Sequence, residues 1–129
     1  MYVKNFFETQ FENRDECVCW FILPKGEIGR LSAGCVVVQP GGSFTSFGHT
    51  EWRQVYFVVE GTGTLQIDGK KKLRVKPNMV FEIPYDAVHK ISADLDGPVK
   101  YIYINDDSRP VLKRRTAGGR GRTKKAARK

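Results

Sequence analysis

Long hydrophobic runs are missing from this 129-residue sequence, and no apolar stretch approaches the roughly 20 residues that a membrane-spanning helix needs. Cysteine is scarce and odd in number: Cys17, Cys19 and Cys35 do not supply the many bridges of a small secreted scaffold. They also lack the C-x-x-C spacing and the fourth ligand of a typical zinc site, so we predict free thiols. No secretory signal peptide is recognisable at the start. These absences predict a protein of a reducing compartment, cytoplasmic or nuclear, without a membrane contact.

Acidic residues are absent from the C-terminal part of the chain. From Lys113 onward the sequence has nine Lys and Arg and no Asp or Glu, whereas the preceding part has 13 basic and 14 acidic residues. The formal net charge of +8 therefore belongs to this tail, and the body carries −1. No large apolar residue follows Leu112, so the tail cannot bury enough surface to offset its ordering entropy. We predict that it is disordered.

The charge of the tail predicts contact with DNA that does not depend on base sequence, because Lys and Arg neutralise phosphates without reading bases. The residues predicted to bind nucleic acid are Lys113, Arg114, Arg115, Arg120, Arg122, Lys124, Lys125, Arg128 and Lys129. A body with little net charge indicates no basic surface on the fold itself, so we expect the tail to carry the affinity for DNA. The run Lys70-Lys71-Lys72 is interpreted as a solvated turn, with a phosphate contact as the alternative.

The rest of the chain shows short β-prone runs separated by Gly, Pro, Asn and Asp. Residues 17–23 form one apolar run that ends at Pro24-Lys25-Gly26, and residues 54–59 form another that turns at Gly61-Thr62-Gly63. Asp68-Gly69 is typical of a tight hairpin turn. About eight such strands at a spacing of roughly ten residues predict an all-β sandwich or barrel.

Four segments of this pattern resemble the conserved blocks of the cupin superfamily. They are Pro40-Gly41-Gly42, the strand 55–61 (VYFVVEG), Ile83-Pro84 and His89. The resemblance covers about residues 32–104 and implies a cupin jelly roll, a barrel built as a double-stranded β-helix. We therefore predict an N-terminal arm at residues 1–15, the cupin barrel at residues 16–105 and the disordered basic tail at residues 106–129.

The resemblance also implies where a metal would be bound. Enzymatic cupins hold a divalent metal with two histidines, a glutamate and a later histidine. In this chain those positions fall on Gly48, Thr50, Gln54 and His89, so only the last one matches. His49 lies between the first two, and we interpret it as an exposed residue. One imidazole cannot hold a catalytic metal. The sequence therefore predicts no metal site, no cofactor and no catalytic residues.

Among cupins, three segments resemble the C-terminal cupin of the centromere protein C family, which also lacks the metal ligands. They are residues 32–42 (SAGCVVVQPGG), 55–61 and 78–84 (NMVFEIP). This resemblance implies a non-enzymatic homodimerisation module of a nuclear kinetochore protein at the centromere, with chromatin and other kinetochore proteins as partners. Aromatic side chains beyond those that fill a barrel indicate a dimer interface. The residues predicted for it are Trp20, Phe21, Trp52 and Tyr56.

A second hypothesis remains open, in which the barrel interior is a pocket. The protein would then bind a small molecule, or act without metal as an isomerase- or epimerase-like enzyme, with His89 as its acid or base. Bulky interior side chains would exclude a ligand, whereas a polar cavity around His89 would support one. The side chains expected inside the barrel are Val58, Leu65, Phe81 and Ile91.

Overall fold

The computed structural model of the protein describes residues 1–46, 52–84 and 86–107, except for the side chain of Trp52. A 3-10 turn at Phe6–Glu8 precedes the strands. The strands described are β1 (Gln10–Asn13), β2 (Cys17–Ile28), β3 (Leu31–Val38), β4 (Ser43–Ser46), β5 (Trp52–Glu60), β6 (Gly63–Ile67), β7 (Lys71–Val75), β8 (Val80–Ile83), β9 (His89–Ala93) and β10 (Val99–Asp107). Within these ranges, no helix has the length and apolarity that crossing a membrane requires.

The strands form two antiparallel sheets that pack against each other. One has six strands in the order β1-β2-β3-β10-β5-β8, and the other has four in the order β4-β9-β6-β7. From β3 onward the chain crosses between the sheets at most connections, so that β4 and β5 lie in different sheets, as do β8 and β9. One core cluster contains side chains of both sheets. This arrangement confirms the predicted all-β fold of the cupin jelly-roll type.

The core lies between the sheets, and strand alternation decides which side chains enter it. On β5, Tyr56 and Val58 are buried at 2% and 0% exposure, whereas Phe57 between them points outward and is 36% exposed. The four interior residues predicted from the sequence are all buried: Val58, Leu65, Phe81 and Ile91. Bulky side chains therefore fill much of the space between the sheets.

Strand β2 differs from its prediction, because it does not end at Pro24-Lys25-Gly26 but continues to Ile28. Its pairing with β3 is irregular there: Leu23 faces Ala33 and Ile28 faces Leu31, so the extra residues of β2 bulge out of the ladder. Proline is tolerated at such a bulge because the ladder needs no donor from it. The predicted turn is therefore a distortion within one long strand.

The N-terminal residues lie against the six-stranded sheet. Strand β1 pairs with β2, and the hydroxyl of Tyr2 donates to the carbonyl of Ile22 at 2.8 Å. The ring centroid of Phe6 lies 4.6 Å from that of Trp20, and the ammonium of Lys100 lies 5.5 Å from the centroid of Phe6. This segment thus places aromatic side chains on the side of the sheet that faces away from the core.

Candidate functional site

The outer face of the six-stranded sheet carries an apolar row that crosses all six strands. The residues of the row are direct neighbours in register: Phe11, Trp20, Cys35, Ile102, Phe57 and Val80. Phe11 is 53% exposed and Val80 is 62% exposed, although both are large apolar side chains. A second row beside it adds Ala33, Ile104 and Val55. Trp20 and Ile102 are half-buried and Cys35 is 1% exposed, so the exposed apolar surface lies toward the two ends of the first row. Exposed apolar patches usually mark a partner surface.

The two ends of this apolar face are bordered by charges of both signs. At one end Lys100 lies in register with Glu60, and at the other Asp106 lies in register with Arg53. Asp106 also accepts two hydrogen bonds from the guanidinium of Arg30, at 2.9 and 2.8 Å. A neutral, mixed rim around an apolar centre is the composition of a protein interface. The face is therefore suited to a protein partner.

The predicted interface residues occupy different places in the structure. Trp20 lies on the outer face, half-buried beneath Phe6 and Phe11, whose ring centroids are 4.6 and 4.7 Å from it. Phe21 packs partly against the core. The assignment of Tyr56 to the interface is wrong, because this side chain points into the barrel and is 2% exposed. The side chain of Trp52 lies outside the described residues.

The barrel interior is polar at one end. The side-chain amide of Gln54 donates to the carbonyl oxygen of Asn105 at 2.9 Å, and both residues are buried. His89 enters the same space from the other sheet and is 1% exposed. The ring of Tyr56 stands edge-on to its imidazole, with 5.7 Å between the centroids. Burial raises the pKa of Tyr56, so its hydroxyl stays protonated.

Three buried side-chain atoms have no hydrogen-bond partner in the described part of the chain: Gln54 Oε1, His89 Nε2 and the hydroxyl of Tyr101. The first two are the ones that only accept. The other ring nitrogen of His89, Nδ1, lies 3.0 Å from the carbonyl oxygen of Ala87. Nδ1 must donate there, because a carbonyl only accepts, so Nε2 keeps a free lone pair in the neutral ring. The arrangement offers two acceptors to a donor placed between the sheets.

The protonation of His89 makes stability depend on pH. Burial lowers the pKa of His89 below its ordinary value of 6.5, while the Ala87 carbonyl and the charge of Asp68 oppose that shift. The unfolded chain therefore binds a proton on this residue at a higher pH than the folded chain does. The contribution of neutral His89 to stability is therefore fully present above the ordinary pKa of histidine. It decreases as the pH falls from that value toward the lower pKa of His89 in the folded chain.

We expect the free energy of unfolding to decrease from pH 7 to pH 5, with a contribution from His89 of at most about 1.4 kcal/mol per pH unit. Urea unfolding at several pH values measures it. His89→Gln should flatten the decrease. His49→Gln removes the other histidine of the chain and is the control; we expect it to retain the decrease. A wild-type slope retained by His89→Gln would contradict the assignment.

The residues present do not fit the catalytic metal of enzymatic cupins. Gln54 stands at the position of the acidic ligand, but its side chain is neutral and its amide is engaged with Asn105. Among the described residues, no three His, Cys, Asp or Glu side chains converge as a metal site. Gly48, Thr50 and His49 lie outside those residues, as does the basic tail from Lys113 onward. Only one ligand of the expected type, His89, enters the barrel from the described strands.

The cysteines are free and do not share one site. Cys17 and Cys19 belong to the core cluster, whereas Cys35 lies in the row on the outer face of the sheet. Burial raises the pKa of the Cys35 thiol.

Two other parts of the site were not predicted from the sequence: the stack of Phe6, Phe11 and Trp20, and the pairing of Gln54 with Asn105. The aromatic residues near the N-terminus were a visible signal for the first, but nothing in the sequence connects two amides 51 residues apart.

Comparisons with known proteins agree with this architecture. The cupin domain family matches residues 34–105. Ectoine synthase from P. lautus is 14% identical, with a TM-score of 0.72 over 83% of this chain and 78% of that one. The polyketide cyclase RemF from Streptomyces resistomycificus is 19% identical, with a TM-score of 0.71 over 84% of this chain and 80% of that one. The cupin domain of Schizosaccharomyces pombe Cnp3 is 12% identical, with a TM-score of 0.66 over 80% of this chain and 72% of that one. Likeness at these identities establishes the fold, which enzymes and other proteins share.

Proposed function

The chain belongs to the cupin domain family, and we propose that its function within that family is homodimerisation without catalysis. The observation that carries the proposal is the apolar row from Phe11 to Val80 across the outer face of the six-stranded sheet. Burying exposed apolar surface contributes roughly 25 cal/mol per Å², which makes a face of this kind the main source of association free energy.

A second copy of the chain is the partner that this face suits. A two-fold dimer needs a patch that is complementary to itself. The face has an apolar centre, and both of its borders contain charges of both signs: Lys100 with Glu60 at one end, and Asp106 with Arg53 and Arg30 at the other. Two copies packed face to face bury the apolar rows against each other and meet charges of opposite sign at the rim. A partner with one sign of charge would gain nothing from such a rim.

The wider setting of the proposal comes from the sequence. Residues 32–42, 55–61 and 78–84 resemble the cupin of the centromere protein C family. We place the protein in that class, as a nuclear module that joins two copies of whatever is attached to it at the centromere. Its tail adds nine basic residues from Lys113 onward for contact with DNA that is independent of base sequence.

The oligomeric state of the full chain in solution tests this function. We expect light scattering to give twice the 14.7 kDa of the chain at tens of micromolar. The same mass is expected in low and moderate salt, because the association is mainly apolar. A mass of one chain at that concentration would refute homodimerisation.

A second candidate function rests on a separate observation, the unpartnered buried acceptors Gln54 Oε1 and His89 Nε2. Leaving a buried acceptor unpaired costs about 1–3 kcal/mol, so a ligand that donates to both would stabilise the fold. Such a ligand is a small molecule with two N–H or O–H groups. The protein would then bind a small molecule or act as a metal-independent enzyme, with the neutral His89 ring as its base.

Native mass spectrometry of the full chain, purified without denaturation, distinguishes this candidate. A bound small molecule is expected to add one discrete mass that disappears on denaturation and is absent from Gln54→Leu/His89→Leu. The matched control Thr64→Val on the outer side of the other sheet should keep it. Identical native and denatured masses for the wild-type chain would remove the candidate and leave homodimerisation untouched.

A further inference from the structure

The outer face of the four-stranded sheet is polar at every position, in contrast to the face proposed for dimerisation. Two rows of outward residues cross its four strands in register. They are Thr45, Lys90, Gln66 and Lys72 in one row, and Ser43, Ser92, Thr64 and Arg74 in the other. All eight side chains donate hydrogen bonds, and none is an acid. Such a face is suited to a ligand that consists of anionic acceptors.

The fold also gathers basic residues on this side of the body. Six of the 13 basic residues that precede Lys113 lie on or beside β7 and β9: Lys70, Lys71, Lys72, Arg74, Lys76 and Lys90. Four of the 14 acids, Asp68, Asp86, Asp94 and Asp96, lie beside the same strands, so basic residues exceed acids here by two. The count of charges along the chain did not indicate this local excess. Lys72 and Lys90 are 18 positions apart in the sequence, but strand pairing places them on either side of Gln66.

The acids near this face lie at its edges. The carboxylate of Asp94 pairs with Arg74 and accepts from the hydroxyl of Thr62 at 2.7 Å. At the opposite edge, Glu16 accepts from the backbone amide of Ser43 at 2.6 Å. Within the described part of the chain, no carboxylate forms an ion pair with Lys72 or Lys90. The ammonium groups of Lys72 and Lys90 lie on either side of the Gln66 amide. Together with the neighbouring serine and threonine hydroxyls, they form the centre of the face.

We infer that this face, centred on Lys72 and Lys90, binds the phosphate backbone of duplex nucleic acid. Lysine, threonine, serine and glutamine side chains are the groups that contact phosphate oxygens in such complexes. Among the described residues this face has no aromatic side chain on which unpaired bases would stack, which favours a duplex over a single strand as its ligand. A flat sheet face without a protruding helix or ribbon also reads no base edges.

This site is separate from the DNA contact proposed for the tail, and it does not depend on dimerisation. In a dimer joined through the six-stranded sheets, the two four-stranded faces point away from each other. Each copy then presents its own phosphate-binding face, and the dimer contacts two duplex segments on its opposite sides. The tail increases the affinity of either contact without being part of the face.

The test is the salt dependence of binding between the full chain and fluorescent duplexes of unrelated sequence. Each lysine that neutralises a phosphate contributes about −0.9 to the slope of log K against log salt. We expect Lys72→Gln/Lys90→Gln to reduce the magnitude of the slope by about 2, equally for every duplex. The control Lys4→Glu changes the net charge by the same two units on the other side of the body and should leave the slope unchanged.

Circular dichroism and the mass in solution establish that both variants keep the fold and the oligomeric state. An equal reduction of the slope by both variants would overturn the inference, because it would reflect net charge alone. An unchanged slope in Lys72→Gln/Lys90→Gln would overturn it as well. Vesicles containing phosphatidylserine provide a further arm: loss of vesicle binding with unchanged duplex binding would assign the face to a lipid surface instead. A monomeric wild-type chain would refute the dimer but not this site.

Discussion

Phe57→Glu is expected to convert the dimer to a monomer in the concentration range where the wild-type chain is dimeric. Phe57 lies in the middle of β5, between Ile102 on one side and Val80 on the other, and it is 36% exposed in the single chain. A glutamate there remains hydrated in the monomer, so the fold should be retained. In the dimer this glutamate would be buried in an apolar centre, and the two-fold symmetry would bury one such glutamate from each copy.

The size of this effect follows from the desolvation of an unpaired charge. Burying a charge without a partner costs about 3–5 kcal/mol, which corresponds to at least about 100-fold in the dissociation constant. Sedimentation velocity over a dilution series measures it. Leu95→Glu is the matched control, because Leu95 is 88% exposed in the turn between β9 and β10, away from the face. A dimer that survives Phe57→Glu with unchanged affinity would place the interface elsewhere.

The interface could be predicted from the sequence only in part, and β5 shows why. Strand alternation puts Tyr56 and Phe57 on opposite faces of β5, but both faces of this strand are apolar. Val55, Phe57 and Val59 occupy one face, and Tyr56 and Val58 occupy the other. Normally the polar face of a strand identifies the solvent side. Here no polar face exists, so the choice of Tyr56 as the outward residue had no physical basis, and the same feature supports the proposal that a second copy packs on the strand.

The basic face was missed for a different reason. Lys72 and Lys90 belong to β7 and β9, which become neighbours of the same strand, β6, only through the jelly-roll topology. A count of charges along the chain does not show which charged residues become neighbours through strand pairing. The all-β class, by contrast, followed from local signals: turn residues and short β-prone runs at regular spacing. The cupin barrel type followed from the resemblance of four segments to that superfamily, while the polar interior and both outer faces depend on contacts between distant strands.

One local signal, the Gly61-Thr62-Gly63 turn between β5 and β6, leads to a large expected effect on stability. Gly61 adopts a φ of +91°, which side-chain-bearing residues rarely adopt. Gly63 is required for a different reason, which is space. A Cβ added at Gly63 would lie 1.9 Å from the backbone carbonyl oxygen of Ser92. Since Gly63 is in register with Ala93, β6 and β9 come together at this point without room for a methyl group.

Gly63→Ala is therefore expected to destabilise the fold by roughly 3–5 kcal/mol, because backbone atoms of β9 must move and the pairing with β6 must open. Urea unfolding at a fixed protein concentration measures the loss, and fixing the concentration keeps the contribution of dimerisation constant. Gly97→Ala is the matched control: a Cβ there meets nothing within 4 Å, so the change should stay within about 0.5 kcal/mol. If Gly63→Ala unfolds at the same urea concentration as Gly97→Ala, β6 and β9 are not as close at Gly63 as the structure places them. A loss confined to Gly63→Ala would show that the approach of these two strands holds the four-stranded sheet, and with it the face formed by Lys72 and Lys90, in place.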